Sequence, residues 1–267
     1  MRPGPILPEP SLSRALRVQF NVLGALIMRE MHARFGRENL GYVWLFVEPM
    51  ILAGCVATLH HIAGHGLPGG LAPFPFYVLS YTPYYLLRSI VTRASTALEA
   101  NAALFFHARV RLHDVLMART VLECAAVLVA LTIFLTGVGI LTDNWPREPL
   151  GIAMGLVLMA LLMHGVALLV ASLGVLGAHN VDRIVHPATY LSLPASGAFF
   201  MVWWFPAEMQ EMILWIPTVH VYEFVRHSFY GDVVPFHYDI SYLGAWILVT
   251  NTLGLVALRA ARPHLET

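Results

Sequence analysis

The sequence predicts an all-α membrane protein with six transmembrane helices, and three observations support this fold class. Only 12% of the 267 residues are charged, about half the share that an ordinary soluble domain carries. Hydrophobic residues make up 58% of the chain, and its mean hydropathy is +0.67. These apolar residues fall in several runs that are long enough to cross the hydrocarbon core of a bilayer.

The N-terminal segment, residues 1–41, is predicted to lie on one side of the membrane and to contain a single helix. Its first ten residues are rich in proline, so they should be irregular, and no signal peptide is expected. From Leu12 to about Phe35, apolar residues recur every three or four positions, which is typical of an amphipathic helix in the membrane interface. Because Leu26 and its apolar neighbours widen this stripe, part of the helix is expected to pack against protein.

Six apolar runs within residues 42–258 form the predicted transmembrane domain, and residues 259–267 form a tail. The spans are placed at about 42–63, 76–92, 118–141, 150–176, 188–205 and 240–258. An arginine-rich connection between the second and third spans is long enough for a short helix that could dock into a soluble partner or anchor at the head groups.

The connection between the fifth and sixth spans, residues 206–239, is amphipathic and rich in aromatic residues. It carries too many charges to cross the bilayer, and we interpret part of it as a re-entrant segment that dips into the membrane against protein. An interfacial belt of aromatic residues is the alternative interpretation. Glu223 and Arg226 are spaced to pair on one helix there.

The placement of arginine predicts the orientation of the chain in the membrane. Six spans put both termini on the same side, and fourteen of the 16 basic residues fall on that side, leaving Arg147 and Arg226 on the other. Positively charged residues are retained on the cytoplasmic side. The sequence therefore predicts a multi-pass protein with both termini in the cytoplasm.

The residue types that are missing exclude several kinds of chemistry. All 16 basic residues are arginine, so neither a lysine-containing phosphate-binding loop nor a lysine Schiff base is possible. His60, His61 and His65 lie close together, but in a glycine- and proline-rich stretch without a carboxylate partner. We expect no catalytic residue, no metal site and no cofactor in this chain, and no nucleic-acid partner.

Aromatic side chains cluster at two places in the predicted spans. The second span contains Tyr81, Tyr84 and Tyr85, and the end of the fifth span contains Trp203 and Trp204. Aromatic faces suit both sugar rings and anchoring at the membrane interface. The three tyrosines are near mid-span, where an interface belt does not explain them.

Several segments together resemble the capsular polysaccharide export permeases of the Kps type, which are the membrane subunits of ABC type 2 exporters. The residues that carry the resemblance are Arg29-Glu30, Arg34-Phe35-Gly36, Asn39-Leu40-Gly41, Trp44 and Glu48-Pro49. Residues 101–123 are similar to the coupling helix and third-span start of that family. Residues 216–231 are similar to its re-entrant segment, although Ile216 stands where the family usually has asparagine.

The resemblance implies a division of labour between chains. This chain would be the permease that moves lipid-linked capsular polysaccharide across the bacterial inner membrane, in contact with membrane lipids. A second copy of the chain and two ATP-binding-cassette subunits would complete the exporter, and the cassette subunits would bind ATP and Mg²⁺. A periplasmic co-polymerase-like protein and an outer-membrane polysaccharide channel would continue the path.

The resemblance also implies roles for individual residues. Coupling to the ATPase subunit would involve Asn101, Leu104, Phe105, Phe106, Arg109 and Val110. The interface helix would use Arg29, Glu30, Arg34, Phe35 and Gly36. The polysaccharide path would include Trp44, Tyr81, Tyr84, Tyr85, Trp203 and Trp204. A lipid head group or an acidic sugar would meet Arg88 and Arg93, and the re-entrant segment would use Pro217, Glu223 and Arg226.

Three other hypotheses remain open at this point. The chain could be a type 2 permease for O-antigen, teichoic acid or another lipid-linked or small cargo, or a membrane scaffold without transport. A membrane-bound enzyme would need a carboxylate or histidine cluster that faces one side of the membrane, and the sequence offers none. A neighbouring gene for a lysine-containing ATPase would favour transport over the other two classes.

Overall fold

The computed structural model describes residues 12–35, 41–64, 66–97, 101, 110–177 and 180–265, and all regular structure in these ranges is helical. The all-α part of the predicted fold class is therefore confirmed. The helices are α1 (Leu12–Phe35), α2 (Gly41–Ile62), α3 (Pro73–Ser95), α4 (Leu112–Thr142), α5 (Pro149–Val175), α6 (Val181–Ser192), α7 (Ala207–Ile213), α8 (Pro217–Tyr230) and α9 (Ile240–Ala261).

Three of the described helices are long and apolar enough to cross a membrane: α4, α5 and α9. They contain 31, 27 and 22 residues, and about 20 residues are needed to cross a bilayer core. The residue ranges of helices α2 and α3 largely coincide with the predicted spans at 42–63 and 76–92. The count of six spans stays a prediction.

Helix α5 forms the centre of the molecule and packs against α3, α4, α8 and α9. The side chains of Leu156, Met159 and Leu168 are completely buried there. Helix α9 packs along α5 but leaves Leu248 and Val256 more than half exposed, as expected for a helix with one face toward lipid.

Helices α5 and α9 approach each other at two glycines. A Cβ atom on Gly165 would lie 2.7 Å from the backbone nitrogen of Asn251, and one on Gly254 would lie 2.9 Å from the carbonyl oxygen of Gly165. The side chain of Asn251 also donates to the carbonyl of Leu161 across this crossing, at 2.9 Å. Small residues at such crossings let two membrane helices come into backbone contact.

Polar residues outside the apolar runs set two helix starts. Helix α4 begins at Leu112, before the predicted start near residue 118. The carboxylate of Asp114 accepts from the backbone N–H of Arg111 at 3.0 Å, which stabilises this early first turn. Helix α9 begins after Asp239, whose carboxylate accepts from the backbone N–H groups of Ser241 at 2.7 Å and Tyr242 at 3.1 Å.

The chain does not form one continuous helix through the predicted fifth span, 188–205. Helix α6 begins earlier, at Val181, and ends at Ser192, after which the backbone makes turns up to residue 199. Pro194 has no N–H to continue a helix. Gly197 has φ +97°, and a Cβ atom there would lie 3.1 Å from the Cα atom of Val219. The close approach of α8 therefore requires a glycine where the helix breaks.

Helix α1 packs along the beginning of α4 over only part of its length. Leu26 is buried in a small apolar cluster with Val115 and Ala118, whereas residues 12–20 are exposed. The expected packing against protein is present. The predicted position of α1 in the membrane interface stays a prediction.

Candidate functional site

Helix α8, which contains the predicted re-entrant residues, is enclosed by protein on nearly all sides. Pro217 occupies its first turn, and residues 218–226 are all buried. The hydroxyl of Thr218 donates to the carbonyl of Ser196 at 2.9 Å. At the other end, the backbone N–H of Glu148 donates to the carbonyl of Ser228 at 2.8 Å. A polar helix is tolerated at membrane depth when protein groups satisfy it in this way.

Arg226 is completely buried and binds the backbone at the break after α6. Its guanidinium donates to the carbonyls of Gly197 at 2.9 Å and Phe200 at 2.6 Å, and also to the carbonyl of Ala198. It further donates to the hydroxyl of Ser80 on α3 at 2.8 Å. The guanidinium thus uses all four of its terminal N–H groups. Three of its hydrogen bonds satisfy carbonyls that the broken helix leaves without helical partners.

The ring of Phe76 covers the same guanidinium, with its centroid 4.2 Å from the Cζ atom of Arg226. A cation over an aromatic face is stabilised most where water is excluded. Arg226 therefore connects α3, α8 and the segment after α6, and we call residues 197–205 the aromatic segment.

Glu223, one turn before Arg226, binds one N–H group of the same segment and one of the loop before α9. Its carboxylate accepts from the backbone N–H of Val202 at 3.1 Å and from that of His237 at 3.0 Å. The spacing of Glu223 and Arg226 suggested that the two side chains pair with each other. Both instead bind backbone groups, because the non-helical segments between α6 and α7 and between α8 and α9 have carbonyls and N–H groups that need partners when buried.

The aromatic segment places its rings against α3. Phe199 makes an edge contact with Tyr81, with centroids 5.4 Å apart, and Trp204 stacks on Phe76 at 5.6 Å. The indole N–H groups of Trp203 and Trp204 have no acceptor within the described residues. Because these two nitrogens are buried, the arrangement offers a ligand the partly exposed ring faces of Tyr81 and Trp204 for non-covalent contacts.

A second cluster of polar residues joins α1, α3 and α4 at the opposite end of α3. Arg119 on α4 pairs with Glu30 on α1 at 3.1 Å and donates to the backbone carbonyl of Arg93 at 2.9 Å. Arg93 in turn pairs with Glu123 on α4 at 3.0 Å. We call these four residues the Arg119 network.

Two hydrogen bonds extend the contacts of α1 beyond the Arg119 network. The amide of Gln19 donates to the carboxylate of Asp114 at 2.6 Å. Arg29 donates to the side-chain oxygen of Asn101, and Asn101 itself is buried and donates to the carbonyl of Ala97 at 2.8 Å. Helix α1 is therefore bound to Asn101, the first residue of the predicted coupling segment, and to Asp114, just after that segment.

The chain is similar to known export proteins along almost its whole length. It is 32% identical over 254 residues to the capsule polysaccharide export inner-membrane protein CtrC of Neisseria meningitidis serogroup B, covering 94% of this chain and 92% of that protein. The chain belongs to this capsule-export family. It is also 29% identical to BexB of Haemophilus influenzae over 257 residues, covering 94% of this chain and 95% of that protein.

A further relative is the polysialic acid transport protein KpsM of Escherichia coli, to which the chain is 28% identical over 263 residues. The alignment covers 94% of this chain and 97% of KpsM. No protein-family model matches the chain. The predicted resemblance to capsule-export permeases is confirmed.

The structure gives different surroundings to the residues predicted for a polysaccharide path in this capsule-export protein. Tyr84 is buried, and its hydroxyl donates to the carbonyl of Thr189 at 3.0 Å; Tyr85 is buried as well. Tyr81, Trp203 and Trp204 are half-buried and lie around the aromatic segment. Trp44 belongs to α2, but its side chain lies outside the described part of the chain.

The structure describes some, but not all, of the residues predicted to bind a lipid head group or acidic sugar, to couple to the ATPase subunit or to form the interface helix. Arg88 lies against the ring of Tyr190, 4.5 Å from its centroid, and Arg93 belongs to the Arg119 network. Val110 is half-buried against the cluster around Leu26. Leu104, Phe105, Phe106, Arg109 and Gly36 lie outside the described residues, as do the side chains of Arg34 and Phe35.

Sequence reasoning missed the residues that hold these two clusters together. Ser80 and Phe76 gave no sign that they contact Arg226, because they are far away in the sequence. The signal that could have helped is Pro194 followed by Gly197, which marks a broken helix and therefore free backbone groups. The pairing of Glu30 with Arg119 also joins distant residues and had no local signature.

Proposed function

We propose that the chain is the permease subunit of an ATP-driven exporter that moves lipid-linked capsular polysaccharide across the bacterial inner membrane. The observation that carries this proposal is the 32% identity over 94% of the chain to a capsule polysaccharide export inner-membrane protein. The three long apolar helices fit a protein embedded in a membrane. Such a subunit is a transport protein and not itself an enzyme.

In this proposal the chain crosses the membrane six times, with both termini in the cytoplasm. Five of the six spans are provided by helices α2, α3, α4, α5 and α9. The remaining span, which is the fifth along the chain, consists of α6 together with the aromatic segment. A broken span is acceptable because α8 satisfies its free backbone groups. Residues 1–41 and 259–267 are the cytoplasmic ends, in agreement with the arginine distribution.

Energy would come from two ATP-binding-cassette subunits that bind ATP and Mg²⁺. The chain itself has no lysine and so cannot form the usual phosphate-binding loop. Two copies of the chain would enclose the path, and residues 101–110 would receive the motion of the ATPase subunits. A periplasmic co-polymerase-like protein and an outer-membrane channel would carry the polysaccharide onward.

The half-buried rings near the aromatic segment are the best candidates for contact with the polysaccharide. Tyr81 and Trp204 are half-buried and leave part of their ring surface accessible, and ring faces suit contact with sugar rings. Tyr84 and Tyr85 form the buried wall behind them. Arg88, near the cytoplasmic end of α3, could bind a lipid phosphate or an acidic sugar.

Deleting the gene in its own bacterium tests the proposal. We expect surface polysaccharide to disappear and lipid-linked polysaccharide to accumulate inside the cell, because synthesis continues without export. Expression of the intact chain should reverse both changes. Normal surface polysaccharide in the deletion strain, or loss of another surface polymer instead, would contradict the assigned cargo.

Substituting the ring of Tyr81 tests the proposed path. Tyr81→Leu and Phe199→Leu should each lower surface polysaccharide about fivefold, as expected from losing roughly 1 kcal/mol of ring contact. ATP hydrolysis by the assembled exporter should change little. Surface polysaccharide is measured by antibody staining of whole cells, with ATP hydrolysis measured in membrane vesicles.

The matched control for these variants is Trp246→Leu. Trp246 is an exposed aromatic residue of α9, away from the aromatic segment, and its loss should leave export unchanged. Equal export by the Tyr81, Phe199 and Trp246 variants would show that the rings only pack.

A further inference from the structure

Helix α1 is bound to the rest of the chain by polar contacts that are unusual for a helix expected to rest on a membrane surface. The Glu30–Arg119 pair is largely buried, with 8% and 12% of the two side chains exposed. An ion pair removed from water in this way restricts geometry far more than an exposed surface pair does. The contact therefore fixes one end of α1 to α4.

The contacts of α1 reach both ends of the coupling segment, 101–110. On the α4 side, Gln19 binds Asp114, the residue that caps the first turn of α4. On the α3 side, Arg29 donates to the side-chain oxygen of Asn101, the first residue of the coupling segment, and Asn101 donates to the carbonyl of Ala97 just after α3. Helix α1 thus contacts the start of α4 and the first residue of the coupling segment, while Arg119 of α4 joins the end of α3 to the same network.

Between these polar contacts, α1 and α4 are in apolar contact. Leu26 packs with Val115 and Ala118, at positions between Gln19 and Glu30 on one helix and between Asp114 and Arg119 on the other. Three contacts in register along two helices resist both sliding and rotation. Helix α1 and the first two turns of α4 are therefore expected to move as one unit.

We infer that α1 is part of the coupling apparatus, and that Glu30 and Arg119 are positioning residues that make α1 move with the coupling segment. The inference rests on the proposed function, in which residues 101–110 receive motion from the ATPase subunits. Movement at that segment would tilt α4, and the Arg119 network would transmit the tilt to α1 and to the end of α3. Coupling travels through such elements when they respond as a unit.

The test uses the full chain assembled with its ATPase subunits in liposomes that contain lipid-linked polysaccharide. Export and ATP hydrolysis are measured on the same preparation. Glu30→Gln keeps the size of the side chain but removes the ion pair. We expect hydrolysis to stay within about twofold of wild type, while export per ATP hydrolysed falls about tenfold.

Two further variants complete the experiment. Gln19→Leu removes only the hydrogen bond to Asp114, whose carboxylate keeps the backbone N–H of Arg111 as a donor, and should lower export per ATP about threefold. Arg17→Gln is the control, because Arg17 is exposed on the same helix. The export per ATP hydrolysed of this variant should equal that of wild type.

The outcomes separate the inference from the proposed function. If export and hydrolysis by Glu30→Gln and Gln19→Leu fall together, in proportion to the amount of assembled complex, the contacts only support the fold and the inference is overturned. An unchanged ratio in both variants overturns it too. If the wild-type complex hydrolyses ATP but exports no polysaccharide, the assigned cargo is wrong, and this result does not depend on α1.

Discussion

Arg226→Met should remove most of the folded protein from the membrane. Methionine fills much of the same space but donates no hydrogen bond, so the buried carbonyls of Gly197 and Ala198 and the partly buried carbonyl of Phe200 would lose their donor. Each buried acceptor left unpaired costs roughly 1–3 kcal/mol. Three of them amount to a large part of the total stability of a typical protein, which is about 5–15 kcal/mol.

The effect is measured as the amount of protein in membranes and as the unfolding temperature in detergent. Arg226→Lys should be intermediate, because an ammonium group keeps the charge but cannot match the planar geometry of four acceptors. Arg183→Met is the control, since Arg183 is exposed on α6. An Arg226→Met protein with wild-type abundance and unfolding temperature would mean that other groups can satisfy these carbonyls.

Gly254→Leu is expected to have the second largest effect, because it forces α9 away from α5. The new Cβ atom alone would lie 2.6 Å from the Cβ atom of Leu168 and 2.9 Å from the carbonyl oxygen of Gly165. Backbone atoms cannot move aside as a flexible side chain can. Overpacking of this kind costs roughly 1–3 kcal/mol even for small additions, so the larger leucine should prevent the close crossing.

Gly244 provides a control on the same helix. A Cβ atom there would meet nothing within 4 Å, so Gly244→Ala should be neutral or should stabilise the helix by about 0.5–1 kcal/mol. Gly254→Ala should instead lower the unfolding temperature. The two alanine variants are compared by thermal unfolding in detergent, and equal unfolding temperatures would mean that α5 and α9 separate at little cost.

The helices could be predicted where apolar composition is continuous. The predicted spans at 150–176 and 240–258 differ by only a few residues from α5 and α9, because Pro149 and Asp239 mark their starts. The fifth span was harder, since Pro194 and Gly197 interrupt the helix without lowering its hydropathy. A hydropathy pattern records how apolar a segment is, and not whether its backbone is continuous.

The sequence indicated some of the residues that form the candidate sites, but not the residues that they contact. Glu223 and Arg226 stood out because they are spaced to pair on one helix of the predicted re-entrant segment, but their partners are set by tertiary structure: Arg226 and Ser80 are 146 positions apart. The tyrosines of α3 have similar sequence surroundings. Only the packing of α6 against α3 makes Tyr84 a buried residue and leaves Tyr81 half-buried.

The contacts of Arg226 also bear on how the protein is made. Ser80 and residues 197–200, which supply its acceptors, all precede it in the chain and are synthesised first. An unpaired arginine at the middle of a membrane costs roughly 2.5–3.5 kcal/mol during insertion. In the proposed topology, helix α8 should therefore wait at the outer surface until α3 and the aromatic segment have formed its binding pocket. The outer half of the protein would then be completed last, in the order in which the ribosome delivers its parts.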